Sequence, residues 1–94
     1  MTREYEMLIR NSHVLSEFAD DPDPERLVAR LGSASSGTQV MIRAALSLVP
    51  KEWLPESARD LEFRLDDVGV LDARNTRALL QAIALQADHP EVFR

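Results

Sequence analysis

Apolar residues recur at helical spacing at the start of the chain. They form two neighbouring rows: Met7, Val14 and Phe18 in one, Leu8 and Leu15 in the other. Together the rows make a stripe about 120° wide, which predicts a helix over 2–18. Asn11 lies within this stripe, where it either sets the register of a helix pair or reaches solvent at the stripe's edge. The prolines at 22 and 24 end the helix, because proline disfavours helical backbone in the residue before it.

A second, shorter helix follows these prolines. Asp23 can accept a hydrogen bond from a first-turn N–H, and Pro24 suits the first helical position. Gly32 is typical of the residue just past a helix end. The serine-rich link after it predicts a serine cap for the next helix.

The third predicted helix covers 38–49 and is the most apolar part of the chain. Its polar residues form one narrow stripe, made of Gln39, Arg43 and Ser47. A helix that is apolar over most of its circumference is usually covered by neighbours on several sides. We therefore expect 38–49 to be the central helix.

Two patterns compete in the segment after Pro50. At the start of this segment we expect a turn that places the Trp53 side chain on the core. Within 56–68, Leu61, Leu65 and Val68 share a helical face, whereas Leu61, Phe63 and Leu65 alternate as in a strand. We favour a helix, because no second segment offers a partner strand.

The last helix begins after Asp72, a good capping residue, and ends at 88–90. Its predicted buried face consists of Leu79, Leu80, Ile83 and Ala87. The pattern as a whole predicts an all-α fold, a small bundle of four to five short helices around the central apolar helix. Residues 1–94 are expected to form a single domain with a radius of gyration of roughly 12 Å.

Composition argues against catalysis and metal binding. Cysteine is absent, which excludes disulfides and thiol chemistry. His13 and His89 lie far apart, and the carboxylate clusters lack the ligand spacing of metal loops. We therefore expect no enzyme activity, no cofactor and no metal site. The first residues do not resemble a signal peptide, so a cytoplasmic location is expected.

The remaining features point to a protein partner. Tyr5 and Ile9 lie outside the main stripe of the first helix, and Leu85 faces away from the stripe of the last, so these three are expected at a partner surface or a homodimer interface. The net charge is −5, and residues 52–72 carry seven carboxylates against two arginines. The predicted acidic component of the partner surface is Asp60, Glu62, Asp66 and Asp67. We expect a small acidic interaction module of the antitoxin, immunity, phage-inhibitor or adaptor type, acting on a basic protein partner.

The alternative is a helix-turn-helix regulator, since two helices are joined by a glycine-containing link. It requires Arg43, Lys51, Arg74 and Arg77 to lie on one face. The acidic net charge and the aliphatic surface of 38–49 disfavour it. No motif is specific enough to identify a family.

Overall fold

The computed structural model describes residues 2–93. Over this range the chain forms the α-helices α1 (Arg3–Asn11), α2 (Pro24–Arg30), α3 (Ser36–Ser47) and α4 (Ala73–Gln86). Short 3-10 helices lie between and after them: Ser16–Phe18, Leu31–Ser33, Lys51–Trp53, Glu56–Ala58, Leu65–Val70 and Pro90–Phe93. Residues 2–93 contain no strand, and the expected all-α bundle is confirmed. The Cα radius of gyration is 12.2 Å, as expected.

Local capping sets the start of three helices. Thr2 Oγ1 accepts from the N–H of Tyr5 at 3.3 Å, Asp23 Oδ1 from Glu25 at 3.0 Å and Asp72 Oδ1 from Asn75 at 2.8 Å. The two aspartate caps are those expected from the sequence. Each cap satisfies an N–H that has no partner within its own helix.

The first helix is shorter than expected. α1 ends at Asn11, because the next residue, Ser12, is extended and fully buried. Its hydroxyl donates to Asn75 Oδ1 at 2.7 Å, which ties the end of α1 to the start of α4. The chain then turns, and two residues enter the core without a continuing helix: Leu15 from the turn, and Phe18 from the 3-10 helix Ser16–Phe18.

The end of α2 also differs from expectation. Gly32 lies inside the 3-10 helix Leu31–Ser33, and its φ is not positive. It is therefore not the left-handed residue that commonly follows a helix.

The central helix is confirmed, with its boundaries moved two residues towards the N-terminus. Over half of α3 is buried: Thr38, Val40, Met41, Ile42, Ala44, Ala45 and Leu46. Ser35 precedes α3, but its hydroxyl makes no capping hydrogen bond to the α3 backbone and instead donates to Thr38 Oγ1 at 3.1 Å. The helix loosens before Pro50, where the N–H groups of Leu48 and Val49 bond three residues back.

Residues 51–71 are neither the favoured helix nor the competing strand. Three 3-10 helices alternate with irregular backbone there. The expectation that Trp53 packs on the core is wrong, since its side chain is 56% exposed and the neighbouring Leu54 is buried instead. Leu61 and Val68 are half-buried against the core, but Leu65 is exposed, so the three do not share a face.

The predicted orientation of the last helix is also wrong. Leu79 is buried as expected, but Leu80 and Ile83 are exposed and Ala87 faces solvent. The face that packs on the bundle consists instead of Asn75, Ala78, Leu79 and Ala82. Its small side chains suit close packing against α1.

Candidate interaction surfaces

Two of the three apolar residues expected at a partner surface belong to the core. Tyr5 and Ile9 are buried, so the expectation that they face outward is wrong. The Tyr5 hydroxyl donates to the carbonyl of Pro22, and burial, together with nearby Asp23 and Asp21, raises the pKa of this hydroxyl above its ordinary value. Neither residue is free to meet a partner or a second copy of the chain.

The spacing of the buried positions explains the error. Tyr5, Leu8, Ile9 and Ser12 follow the i, i+3, i+4, i+7 pattern of one helix face. Treating 2–18 as one helix added Val14 and Phe18 to the stripe and rotated its centre away from Tyr5. The shorter pattern is present in the sequence, but it includes a serine, which apolar periodicity assigns to solvent.

The predicted acidic residues lie at the surface, on or before the 3-10 helix Leu65–Val70. Asp60, Glu62 and Asp66 are exposed and Asp67 is half-buried. Arg64 makes two hydrogen bonds to Asp66, Nε to Oδ1 at 3.1 Å and Nη2 to Oδ2 at 3.2 Å. The carboxylates still outnumber the single arginine of this stretch, so the surface is negative.

Two large apolar side chains accompany these carboxylates and were not predicted as site residues. Leu65 is 73% exposed and Val70 is 57% exposed, at opposite ends of the same 3-10 helix. Between them, Val68 is half-buried against the core and holds the segment on the bundle. We call the surface of residues 60–70 the acidic turn.

The third predicted apolar residue, Leu85, is half-buried and lines a groove between α1 and α4. The two helices run antiparallel here, since Ser12 meets Asn75 while Met7 faces Leu85 across the groove. Beyond Asn11 the groove continues past Gln81 to Arg77 and Arg74. Asn11 is exposed, so it reaches solvent at the edge of the helix face. We call this feature the α1–α4 groove.

The helix-turn-helix alternative gains no support from this arrangement. The helix that would read DNA, α3, is the central core helix, and its exposed residues do not include a long polar side chain. Arg74 and Arg77 share the α1–α4 groove, but Arg43 on α3 and Lys51 after it do not line it. A reading helix needs several polar side chains free to reach base edges.

The described residues 2–93 hold no group of three or more His, Asp or Glu side chains placed to bind a metal ion. His13 Nε2 lies 3.2 Å from Asp72 Oδ2, and His89 Nδ1 lies 3.0 Å from Glu91 Oε1, as two separate surface pairs. In the same range, no helix combines the length and the apolar character needed to cross a bilayer.

Comparison of the chain with protein-family models, with curated proteins and with solved structures found no match.

Proposed function

We propose that this chain is a small helical protein-interaction module that binds a partner with a basic, partly apolar surface through the acidic turn. The observation that supports this most is the exposure of Leu65 and Val70 among carboxylates on one short segment. Burying side chains of this size contributes about 1.5–3 kcal/mol each when burial is complete. A partner that covers Leu65 and Val70 would gain this free energy from apolar contact.

The carboxylates specify the chemistry of the partner. Asp60, Glu62 and Asp66 are exposed and would face a cationic surface at the rim of such a contact. Complementary charge at the rim raises the association rate and disfavours partners of like charge. The net charge of −5 also attracts a cationic partner over a longer range.

The packing of the acidic turn favours a preformed contact. Val68 and Leu71 pack against the core on either side of Val70, and the Val70 carbonyl lies close to Gly37 at the start of α3. A segment held at several points loses less conformational entropy on binding than a free loop. An acidic module that covers a basic surface is the physical type of an antitoxin, an immunity protein, a phage inhibitor or an adaptor.

Selection from a display library of random peptides on the intact chain tests this proposal. We expect enrichment of sequences that combine lysine or arginine with a large apolar residue. Binding of these peptides is expected to fall by about tenfold or more on Leu65→Ser or on Asp60→Asn combined with Asp66→Asn. The matched controls are Val92→Ser, which removes an apolar side chain that is 69% exposed, and Glu4→Gln with Glu25→Gln, which changes the charge equally.

The proposal is wrong if no sequence is enriched or if the enriched peptides lack basic residues. It is also wrong if the control variants reduce binding as much as the acidic-turn variants do. All substituted side chains are at least partly exposed, so loss of the fold would not account for a selective effect.

A further inference from the structure

The α1–α4 groove carries a second set of groups that the acidic turn does not use. Along α4, Arg74, Arg77, Gln81 and Leu85 follow one helix face at spacings of three and four residues. The opposite wall is α1. The groove therefore changes character along its length, from cationic, through polar, to apolar.

The cationic end has no internal counter-ion. Neither Arg74 nor Arg77 makes an ion pair within residues 2–93, whereas Arg26, Arg30 and Arg64 each pair with a carboxylate. The nearby carboxylate of Asp72 is engaged with the N–H of Asn75 and with His13. Two free guanidinium groups at one end of a groove favour an anionic group in the ligand, because each can donate two parallel hydrogen bonds to a carboxylate.

The polar middle suits a peptide backbone. Asn11 on α1 and Gln81 on α4 both line the groove, and the side-chain amide of neither makes a hydrogen bond to another of residues 2–93. Each amide offers both a donor and an acceptor, as a peptide unit does. An acyl chain would leave these amides without partners, so a peptide fits the groove better than a lipid.

The apolar end belongs to a cavity of about 210 Å³, which has room for one large side chain. Met7 and Leu85 line this end, together with Pro90 from the 3-10 helix after α4. An apolar residue seated in a pocket with a polar rim is the usual anchor of a peptide ligand. Glu91 follows Pro90, so negative charge in the ligand is directed to the other end.

The helix itself sets the spacing between anchor and anion. Eight residues separate Arg77 from Leu85, which corresponds to about 12 Å along the helix axis. An extended peptide advances about 3.3 Å per residue and covers this distance in about four residues. We propose that the α1–α4 groove binds an extended acidic peptide segment, with carboxylates at Arg74 and Arg77 and a large apolar side chain between Met7 and Leu85.

Nuclear magnetic resonance titration of the ¹⁵N-labelled intact chain tests this proposal. The probe is a synthetic peptide with blocked ends that carries two adjacent glutamates and, about four residues away, one phenylalanine. Both chain directions are made, since the groove does not fix the direction. We expect the side-chain amide signals of Asn11 and Gln81 to shift in a saturable manner, while that of Gln86, exposed on α4 outside the groove, stays in place.

Variants of the chain test which end of the groove binds the acidic part of the peptide and which binds its apolar side chain. Arg77→Gln is expected to weaken binding about tenfold, and Leu85→Ser by a similar factor. The matched controls Arg59→Gln and Val92→Ser, at exposed positions outside the groove, are expected to leave binding unchanged. Replacing the glutamates of the peptide by glutamine is expected to have the same effect as Arg77→Gln.

Three results would each overturn the proposal. One is the absence of saturable shifts with either peptide direction. Another is binding that is insensitive to Arg77→Gln or to loss of the glutamates. The third is a short mixed-sequence DNA duplex that shifts the same signals at a lower concentration than the peptide does, which would assign the arginines to phosphate binding. None of these results bears on the acidic turn, since the two surfaces share no residue.

Discussion

The buried hydroxyl of Ser12 donates a hydrogen bond to Oδ1 of Asn75, at 2.7 Å and across 63 residues of sequence. The bond joins the end of α1 to the first turn of α4. Both side chains lie on the packed faces of their helices, so each is the partner that the other requires in the core. The pair fixes both the length of α1 and the rotation of α4.

Removal of both members of this pair should therefore cost less than the two single removals added together. Ser12→Ala leaves Asn75 Oδ1 without its partner, and we expect it to lower the free energy of unfolding by about 1–3 kcal/mol. Ser12→Ala combined with Asn75→Ala should cost less than the sum of the single substitutions, by about 0.5–3 kcal/mol. Urea unfolding measures the free energy of unfolding of Ser12→Ala, of Asn75→Ala and of the double variant. Ser57→Ala, at an exposed serine, is the control. Additive effects would show that the pair does not act as a unit.

The rotation of α4 gives a second prediction. Ala82 is fully buried in the contact with α1, whereas Leu80 is exposed. Ala82→Leu overpacks the contact and should destabilise the fold by about 1–3 kcal/mol. Leu80→Ala should cost less, about 1 kcal/mol, because about half of this side chain is already exposed. If thermal unfolding showed the larger cost at Leu80, the face predicted from the sequence would be the correct one.

The sequence-based prediction is wrong about the buried faces of both α1 and α4, and the two errors have the same cause. The aspartate caps and the central helix were predicted correctly, because they depend on residues within a few positions or on a nearly continuous apolar surface. The buried faces of α1 and α4 each follow the i, i+3, i+4, i+7 pattern with one polar member, Ser12 or Asn75. Periodicity alone assigns a polar residue to solvent. Only the pairing across the bundle makes its burial favourable.

The candidate interaction surfaces were likewise predictable from the sequence only in their local features. Charge is a local property, so the exposure of the acidic residues could be predicted from the sequence. The exposure of Leu65 and Val70 could not, because it depends on a 3-10 conformation that neither helical nor strand periodicity describes. The groove likewise depends on how α1 and α4 are paired.

The only tryptophan of the chain reports on the segment after α3. Trp53 is 56% exposed, so its fluorescence should resemble that of indole in water and change little on unfolding. Trp53→Ala should cost less than about 1 kcal/mol. Leu54→Ala, at the buried neighbour, should cost about 2–5 kcal/mol. A strongly blue-shifted emission from the folded chain would instead place the indole in the core.

The only tyrosine gives a prediction for alkaline pH. The pKa of Tyr5 is raised in the fold, above a value of about 10 in the unfolded chain. The unfolded chain therefore loses its phenolic proton first, and the stability that Tyr5 provides is complete below pH ~10 and lost as the pH rises beyond it.

Urea unfolding of the wild type should accordingly show a decline of up to about 1.4 kcal/mol per pH unit in that range. Tyr5→Phe cannot lose this proton, so its curve should be flatter by that amount, although it starts lower because the hydrogen bond to the Pro22 carbonyl is gone. Parallel curves for the two chains would contradict the burial of the phenol.

The most direct test of the interaction account is a map of where a basic peptide touches the chain. A synthetic peptide that alternates lysine and leucine is titrated into the ¹⁵N-labelled intact protein, and the backbone amide shifts are assigned by residue. Binding through the acidic turn predicts that the largest shifts lie within residues 60–70 and disappear with Leu65→Ser. Shifts that are equally large at the other acidic cluster, residues 20–25, or that survive this substitution, would contradict it.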